Sequence, residues 1–294
     1  MLLQRIAQPN TQHLVRVFER KLLIVDMTQT PWTLDQFVAQ FALARDLDEQ
    51  IGVLKRAISS FGYDTYVFGL IPNTQPNEAR DFIMITNYDP DWMQEYADRN
   101  FTPHDNVITH GLLRDEPILW SRYHTPEERE LMTPEEALVI ERSTAWGYHV
   151  GVTIPLWIPH SLVRYGMSFS TRWLMDFDAH DAMFEKHRHA LVSMAKLFFL
   201  GADLSGKVFD HYGLTRAEQQ IIALLSNGRK IKEITHLLNQ EQARLHNGGD
   251  FSPITESALH QRVTRIWKKV GVKNTSHLLA TMSELGIMPD SEFH

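Results

Sequence analysis

The sequence predicts an α+β chain: an N-terminal α/β/α sandwich with a mainly antiparallel sheet, plus a C-terminal all-α four-helix helix-turn-helix domain. Three observations carry that reading. Four runs rich in β-branched and aromatic residues, Thr65 to Ile71, Phe82 to Thr86, Val150 to Leu156 and Val163 to Ser170, are bounded by Pro, Asn and Gly. Several of their connections are too short for helical crossovers, which makes the pairing antiparallel. The last eighty residues instead read as short helices, and the charge divides with them. Residues 1–209 hold 19 basic and 27 acidic side chains, while 210–294 hold 10 and 9.

In the first domain the helices fall before, between and after the strands. Leu34 to Phe61 has helical periodicity through Phe37, Phe41, Ile51, Leu54 and Ile58, until Phe61-Gly62 breaks it. Further helices are expected at Asp89 to Arg99, Pro134 to Ala145 and Asp178 to Leu200. His13 to Ile24 is a candidate extra helix with no assigned function. Gly201 to Gly206 suits a short flexible linker. The expected division is therefore a domain over 1–200, a linker over 201–207 and a second domain over 208–294.

The second domain is the more explicit. Thr215 and Glu218 form a capping box, and Ile221, Ile222, Leu224 and Leu225 give the helix an apolar face before Gly228 stops it. A second helix is expected from about Lys230 to Asn239, with Ile231, Ile234, Leu237 and Leu238 as its core face. The third begins at the N-cap Thr255 and carries Leu259, Val263, Ile266 and Val270 at spacings of four, three and four. A fourth, Ser276 to Leu285, brings Leu278, Leu279 and Met282. From Thr255 to Asn274 there are five basic residues against one acid, in a chain of net charge −7. A basic third helix in such a set is the pattern of a helix-turn-helix, with phosphate the natural reason for the charge. A solvated helix face is the bland alternative.

Composition closes off other classes. With 294 residues, 43% of them hydrophobic, the chain is ample for two globular domains. It contains no cysteine, which excludes disulfides, thiol catalysis and cysteine-based metal sites. No run of eighteen apolar residues and no signal-peptide pattern is present, so a soluble cytoplasmic protein without membrane contact is expected. No Gly-x-Ser-x-Gly, phosphate loop or dinucleotide fingerprint occurs, so neither enzyme activity nor a cofactor is expected. His180, His187 and His189 with Asp178, Asp181 and Glu185 lie all around one amphipathic helix and are expected to be a solvated face rather than a metal site.

The chemically dense stretch is Tyr88 to Trp120. Tyr88, Trp92 and Tyr96 are four apart and form one aromatic face if a helix begins near Asp89. Such stripes usually pack a core. The carboxylate of Asp105 offers a second reading, an apolar pocket with a few polar groups that orient a small amphiphile.

Both halves resemble LuxR-type transcription regulators. Leu214-Thr-Arg-Ala-Glu218, Gly228, Lys232-Glu-Ile234, Ile254-Thr-Glu-Ser257, Leu259, Val263 and Lys268-Lys-Val-Gly-Val272 are similar to the family's DNA-binding domain over nearly all of 214–286. The resemblance implies that His260, Gln261 and Thr264 read base edges in the major groove, each good contact being worth about 1 to 3 kcal/mol of discrimination, with Arg262, Arg265 and Lys268 nearer phosphate. Two departures stand out. Lys230 replaces the family's Ser or Thr ahead of the second helix, losing a cap, though a lysine still meets phosphate as a point charge. Gln240 to Pro253 is inserted where the family has a turn of three or four residues, and its Asn-Gly-Gly-Asp core predicts an exposed excursion or small hairpin.

In the first domain Trp92, Tyr96, Asp105 and Trp120 match the family's signal-binding pattern, joined by Tyr88, Pro117 to Trp120, Trp146-Gly147, Gly151 to Pro155 and Met167 to Ser170. The resemblance implies an N-acyl homoserine lactone as signal. Trp92 would then donate to the lactone carbonyl, Asp105 accept from the amide N–H, and Tyr88 and Ser168 donate to the amide carbonyl, with Tyr96 and Trp120 as walls. Asn106 stands where the family has Pro. The implied mechanism is that the signal stabilises the fold and a homodimer, which sets two reading helices on a pseudo-palindromic double-stranded operator, with RNA polymerase a further candidate partner. The alternatives are a dimerising partner or anti-activator with impaired DNA binding, and a regulator that answers a non-lactone signal.

Overall fold

A computed structural model describes residues 30–71, 82–111, 114–156, 163–172, 176–245 and 252–287. The candidate helix over 13–24 lies outside the described residues. The chain splits into two compact units, Met1–Ala202 and Asp203–His294.

Unit 1 is built on a five-stranded antiparallel sheet of order β2-β1-β5-β4-β3. The strands are β1 (Thr65–Ile71), β2 (Ile83–Thr86), β3 (Ile118–Leu119), β4 (Val150–Leu156) and β5 (Arg164–Thr171). β3 escapes sequence reading because two residues carry no alternation. Three helices cover one face: α1 (Leu34–Phe41), α2 (Leu47–Ser59) and α6 (Phe177–Gly201). The single helix expected over 34–61 is in fact these first two. Thr33 closes a capping box on Gln36 and Asp46 caps Glu49, so each has its own start signal and the chain turns between them. Against that layer the strands present Phe68, Val152, Ile154, Met167 and Phe169, all at most 1% exposed. Phe68 meets Phe198 of α6 at 5.8 Å.

The opposite face alternates with it, as strand period requires. Thr65, Val67, Gly151, Thr153, Ser168 and Ser170 lie here, with Thr65 paired to Ser170 and Val67 and Thr153 both paired to Ser168. Helices α3 (Pro90–Asp98), α4 (Pro126–Leu131) and α5 (Pro134–Ala145) follow in the chain, α4 and α5 each with a threonine N-cap and a proline in the first turn. Glu95 of α3 ties to α5 through Arg142, at 2.6 Å, and accepts the Trp146 indole N–H at 2.9 Å.

The histidines of α6 are not a uniformly solvated face. His180 is fully buried between Tyr63 Oη, 3.1 Å from Nε2, and Asp181 Oδ1, 2.9 Å from Nδ1. The helix turns that position inward because the sheet side of α6 includes it together with Phe184 and Leu191.

Unit 2 contains α7 (Ser205–His211), α8 (Arg216–Ser226), α9 (Ile231–Leu245), α10 (Glu256–Val270) and α11 (Thr275–Glu284). The stretch 201–207, expected as a flexible linker, is helical at both ends: Gly201 closes α6 and Ser205 opens α7, leaving only 202–204 outside helices. The expected four helices are thus preceded by a fifth. The Thr215–Glu218 capping box forms, and Thr255 caps α10 through Ala258 N–H. Ile221, Ile222, Leu259, Val263 and Ile266 are buried as their spacing requires. Leu237, expected in the core, is 37% exposed, one position round the helix from the buried Leu238.

The insertion is the larger correction. Residues 240–245, expected to begin an exposed excursion, continue α9 as helix. They contain no helix breaker before the Asn-Gly-Gly-Asp run at 247–250, and that run falls within 246–251, outside the described residues.

Candidate functional site

A cavity of about 150 Å³ opens between the small-residue face of the sheet and the α3 to α5 side of unit 1. Tyr88, Trp92, Tyr96, Asp105, Trp120 and Ser168, the six positions singled out from the sequence, all line it. Their routes to it differ. Trp92 and Tyr96 come from α3, one turn apart, and meet edge to face at 5.6 Å. Tyr88 does not belong to that helix, since Asp89 caps it, and stacks instead on Tyr148 with ring centroids 4.0 Å apart.

Asp105 follows a short 3-10 turn at Thr102–His104 and precedes a π-helical turn at Val107–Gly111. Its Oδ2 accepts the Tyr96 O–H at 2.8 Å and its Oδ1 the Val107 N–H at 2.9 Å. Each carboxylate oxygen keeps a further lone pair for a donor. Burial pushes the Asp105 carboxyl above the usual carboxylate range, against the pull of these hydrogen bonds. The hydroxyl of Tyr96 is likewise pushed well above its ordinary value, by burial and then by the Asp105 charge.

Behind the wall that Trp120 and Ser168 form runs a chain of hydroxyls. An indole N–H only donates, so Trp120 Nε1 donates to Thr153 Oγ1 at 2.9 Å, and Thr153 stands 2.9 Å from Ser168 Oγ. With Thr153 donating onward, Ser168 keeps its own proton for the cavity. Beside them Thr65 donates to the Ser170 carbonyl at 2.9 Å, and Tyr88 Oη lies 3.1 Å from Ser170 Oγ. Trp120 can lie against β4 because position 151 is glycine: a Cβ there would stand 2.9 Å from the indole and 2.6 Å from the Phe169 carbonyl.

The rest of the wall is mostly apolar, with Phe82, Met84, Met93, Ile108, Val139 and Ile140. Burial pushes the His124 imidazole down to about 4, so that it is neutral at pH 7, and its ring lies tilted 4.7 Å from that of Phe177. Such a space accepts an apolar body together with a compact polar group that offers both a donor and an acceptor. Tyr123, His124, Tyr148, His149 and Thr153 were not singled out from the sequence. Thr153 and Tyr148 had a local signal, the small polar positions alternating along β4 and β5 and the aromatic after Trp146-Gly147. The histidines had none.

In unit 2 the residues expected to meet nucleic acid lie on α10 and ahead of α9. His260, Gln261, Thr264, Arg265 and Lys268 are exposed, Arg262 is half-buried, and Lys230 is exposed. Thr264 spends its proton on the His260 carbonyl at 2.9 Å and keeps lone pairs outward. Glu233 Oε2 accepts the Lys230 N–H at 3.0 Å, half of the capping arrangement that a hydroxyl at 230 would complete. Lys269 is withdrawn from the basic set: its Nζ donates to Glu218 Oε2 and to the Gly213 carbonyl, both at 2.7 Å, and so locks α10 to α8.

The model of the autoinducer binding domain family matches residues 46–202, slightly more than half of the chain. The transcriptional activator protein BjaR1 of Bradyrhizobium diazoefficiens is 22% identical over 246 residues, 83% of this chain and 91% of that protein. AnoR of Acinetobacter nosocomialis, another transcriptional activator, is 24% identical over 117 residues, 40% of this chain and less than half, 46%, of AnoR. Among solved structures, Escherichia coli SdiA is 17% identical with a TM-score of 0.48, covering 86% of this chain and 97% of SdiA. The N-acylhomoserine lactone dependent factor CepR2 of Burkholderia cenocepacia is 15% identical with a TM-score of 0.45, covering 60% and 95%.

Proposed function

Since the chain belongs to the autoinducer-binding family of LuxR-type quorum-sensing regulators, we propose that it is a ligand-responsive, DNA-binding transcription regulator whose signal is an N-acyl homoserine lactone. The observation that carries the ligand half is the convergence of Tyr88, Trp92, Tyr96, Asp105, Trp120 and Ser168 on one apolar cavity. An acyl chain gains about 0.8 kcal/mol per buried CH2 from such walls. The single amide matches an acceptor in Asp105 and a donor in Ser168, and Trp92 is left to address the ring carbonyl. In the DNA half, the exposed polar face of α10 reads base edges through His260, Gln261 and Thr264, while Arg262, Arg265, Lys268 and Lys230 meet phosphate. A homodimer places two such helices one DNA turn apart.

Heat denaturation with lactones of several chain lengths tests the ligand. At least one is expected to raise the midpoint, and no shift with any of them removes the lactone assignment. Asp105→Ala is expected to abolish that shift, and an undiminished shift means the amide sits elsewhere. Fragments selected from random DNA are expected to bind about 1,000-fold more tightly than bulk DNA, with affinity falling steeply as salt rises. A second reading, a dimerising partner that does not read DNA, is favoured by the continuation of α9 past the turn, and the selection separates the two.

A further inference from the structure

Fourteen residues, 240–253, stand between Asn239 and Ile254 beyond what a helix-turn-helix uses, the first six of them as the last turns of α9, yet one side chain closes across them. Asn239 Nδ2 donates to the Ile254 carbonyl at 2.9 Å, and Asn239 Oδ1 accepts the Ile254 N–H at 2.7 Å. The amide thereby satisfies both backbone groups of the residue just ahead of the Thr255 cap, across fifteen positions of sequence. Ile254 itself is buried at 9% exposure, so the contact is seated in the domain and does not hang from its surface.

The rest of α10 is held by Leu259, Val263, Ile266 and Val270, and at its far end by Lys269 on Glu218. Those anchors begin five residues after Ile254, about 7 Å along the helix axis. They do not fix the leading end, where a reading helix contacts base edges. A turn of three or four residues fixes that end through backbone, and here fourteen further residues stand between Asn239 and Ile254.

We propose that Asn239 is a positioning residue that pins the leading end of α10 to α9, replacing with two side-chain hydrogen bonds the constraint that a short turn supplies through backbone. The insertion then leaves the reading helix in register. This rests on α10 being the helix that meets bases, so the test has one arm that uses DNA and one that does not.

Four full-length chains are compared: wild type, Asn239→Ala, a chain with 240–253 replaced by two glycines, and the combination. Amide hydrogen exchange reads Ile254 and the first turn of α10, and binding is measured on a fragment selected by the wild-type chain from random DNA. In the presence of the insertion, Asn239→Ala is expected to speed Ile254 exchange and weaken selected-fragment binding, each about tenfold, with bulk-DNA binding unchanged. In the shortened chain the same substitution is expected to change each less than about twofold. Asn239→Asp, which keeps the acceptor, is expected to retain the Ile254 protection that alanine loses. Equal effects of Asn239→Ala in long and short chains overturn the proposal, as does no effect in either. Selective exchange changes in a chain that shows no preference among DNA fragments leave the clamp standing and overturn the DNA reading.

Discussion

The two faces of the unit 1 sheet are made by the same strands and do opposite things. Toward α1, α2 and α6 the strands carry Phe68, Val152, Ile154, Met167 and Phe169, packed to near-zero exposure. Toward α3 and α5 the alternate positions are Thr65, Val67, Gly151, Thr153, Ser168 and Ser170, and there the packing opens into the cavity. One face buys stability by filling space. The other keeps space open and spends its hydrogen-bonding groups on orientation, which shows how a period of two lets one strand serve both needs.

Breaking the filled face should cost most. Phe169→Ala, at a fully buried ring 5.6 Å from Tyr63, is expected to lower the unfolding free energy by about 3 to 5 kcal/mol in urea titration. A loss near 1 kcal/mol would mean that this face is not the stabilising one. Gly151→Ala tests the seam between the faces, because its methyl would collide with a backbone carbonyl as well as the Trp120 ring. A loss of about 1 to 3 kcal/mol is expected, with altered tryptophan fluorescence as Trp120 moves. Thr153→Val strands the Trp120 N–H and the Ser168 hydroxyl at nearly constant shape. It is expected to cost about 1 to 2 kcal/mol, and no change would show that water replaces the hydroxyl.

The smallest change should go the other way. Burial raises the Asp105 pKa in the fold, so the folded carboxyl holds its proton more tightly than the unfolded one. Its contribution to stability is complete below the unfolded carboxylate pKa and is lost as pH rises through the folded value. Asp105→Asn is therefore expected to stabilise the ligand-free chain slightly at pH 7, the gain shrinking as pH falls through the carboxylate range. Urea titration at several pH values reads it, and a constant or growing gain toward low pH would contradict the assigned shift. Together with loss of the ligand response in Asp105→Ala, it would mark the open face as one that gives up stability for binding.

Much of this was legible locally. The four longer strands begin and end within one residue of the runs their β-branched and aromatic residues mark, and the caps at Thr215 and Thr255 lie where hydroxyl and following periodicity put them. The six cavity residues were legible as residue types at family spacing, although Tyr88 reaches the cavity from outside the helix that carries Trp92 and Tyr96. Periodicity misjudged His180 because a histidine is polar in any one-dimensional pattern, while Tyr63 and Asp181, which make its burial tolerable, come from a distant turn and from the adjacent position. It misjudged 240–245 because polar residues mark a break only where no neighbouring helix continues through them, and over 201–207 it put the break in the right place but too wide, since only 202–204 lie outside helices.

By itself, then, the sequence determined the alternation of faces, the caps, the basic third helix and the presence of an aromatic set with one carboxylate, since all of these follow from neighbours three, four or two positions away. Tertiary structure decided which groups meet: Tyr96 on Asp105, Trp120 on Thr153, Lys269 drawn away to Glu218, and Asn239 closed on Ile254. Those pairs span nine to fifty-one positions, and only the folded chain brings such partners within the 3 Å or so over which a hydrogen bond acts.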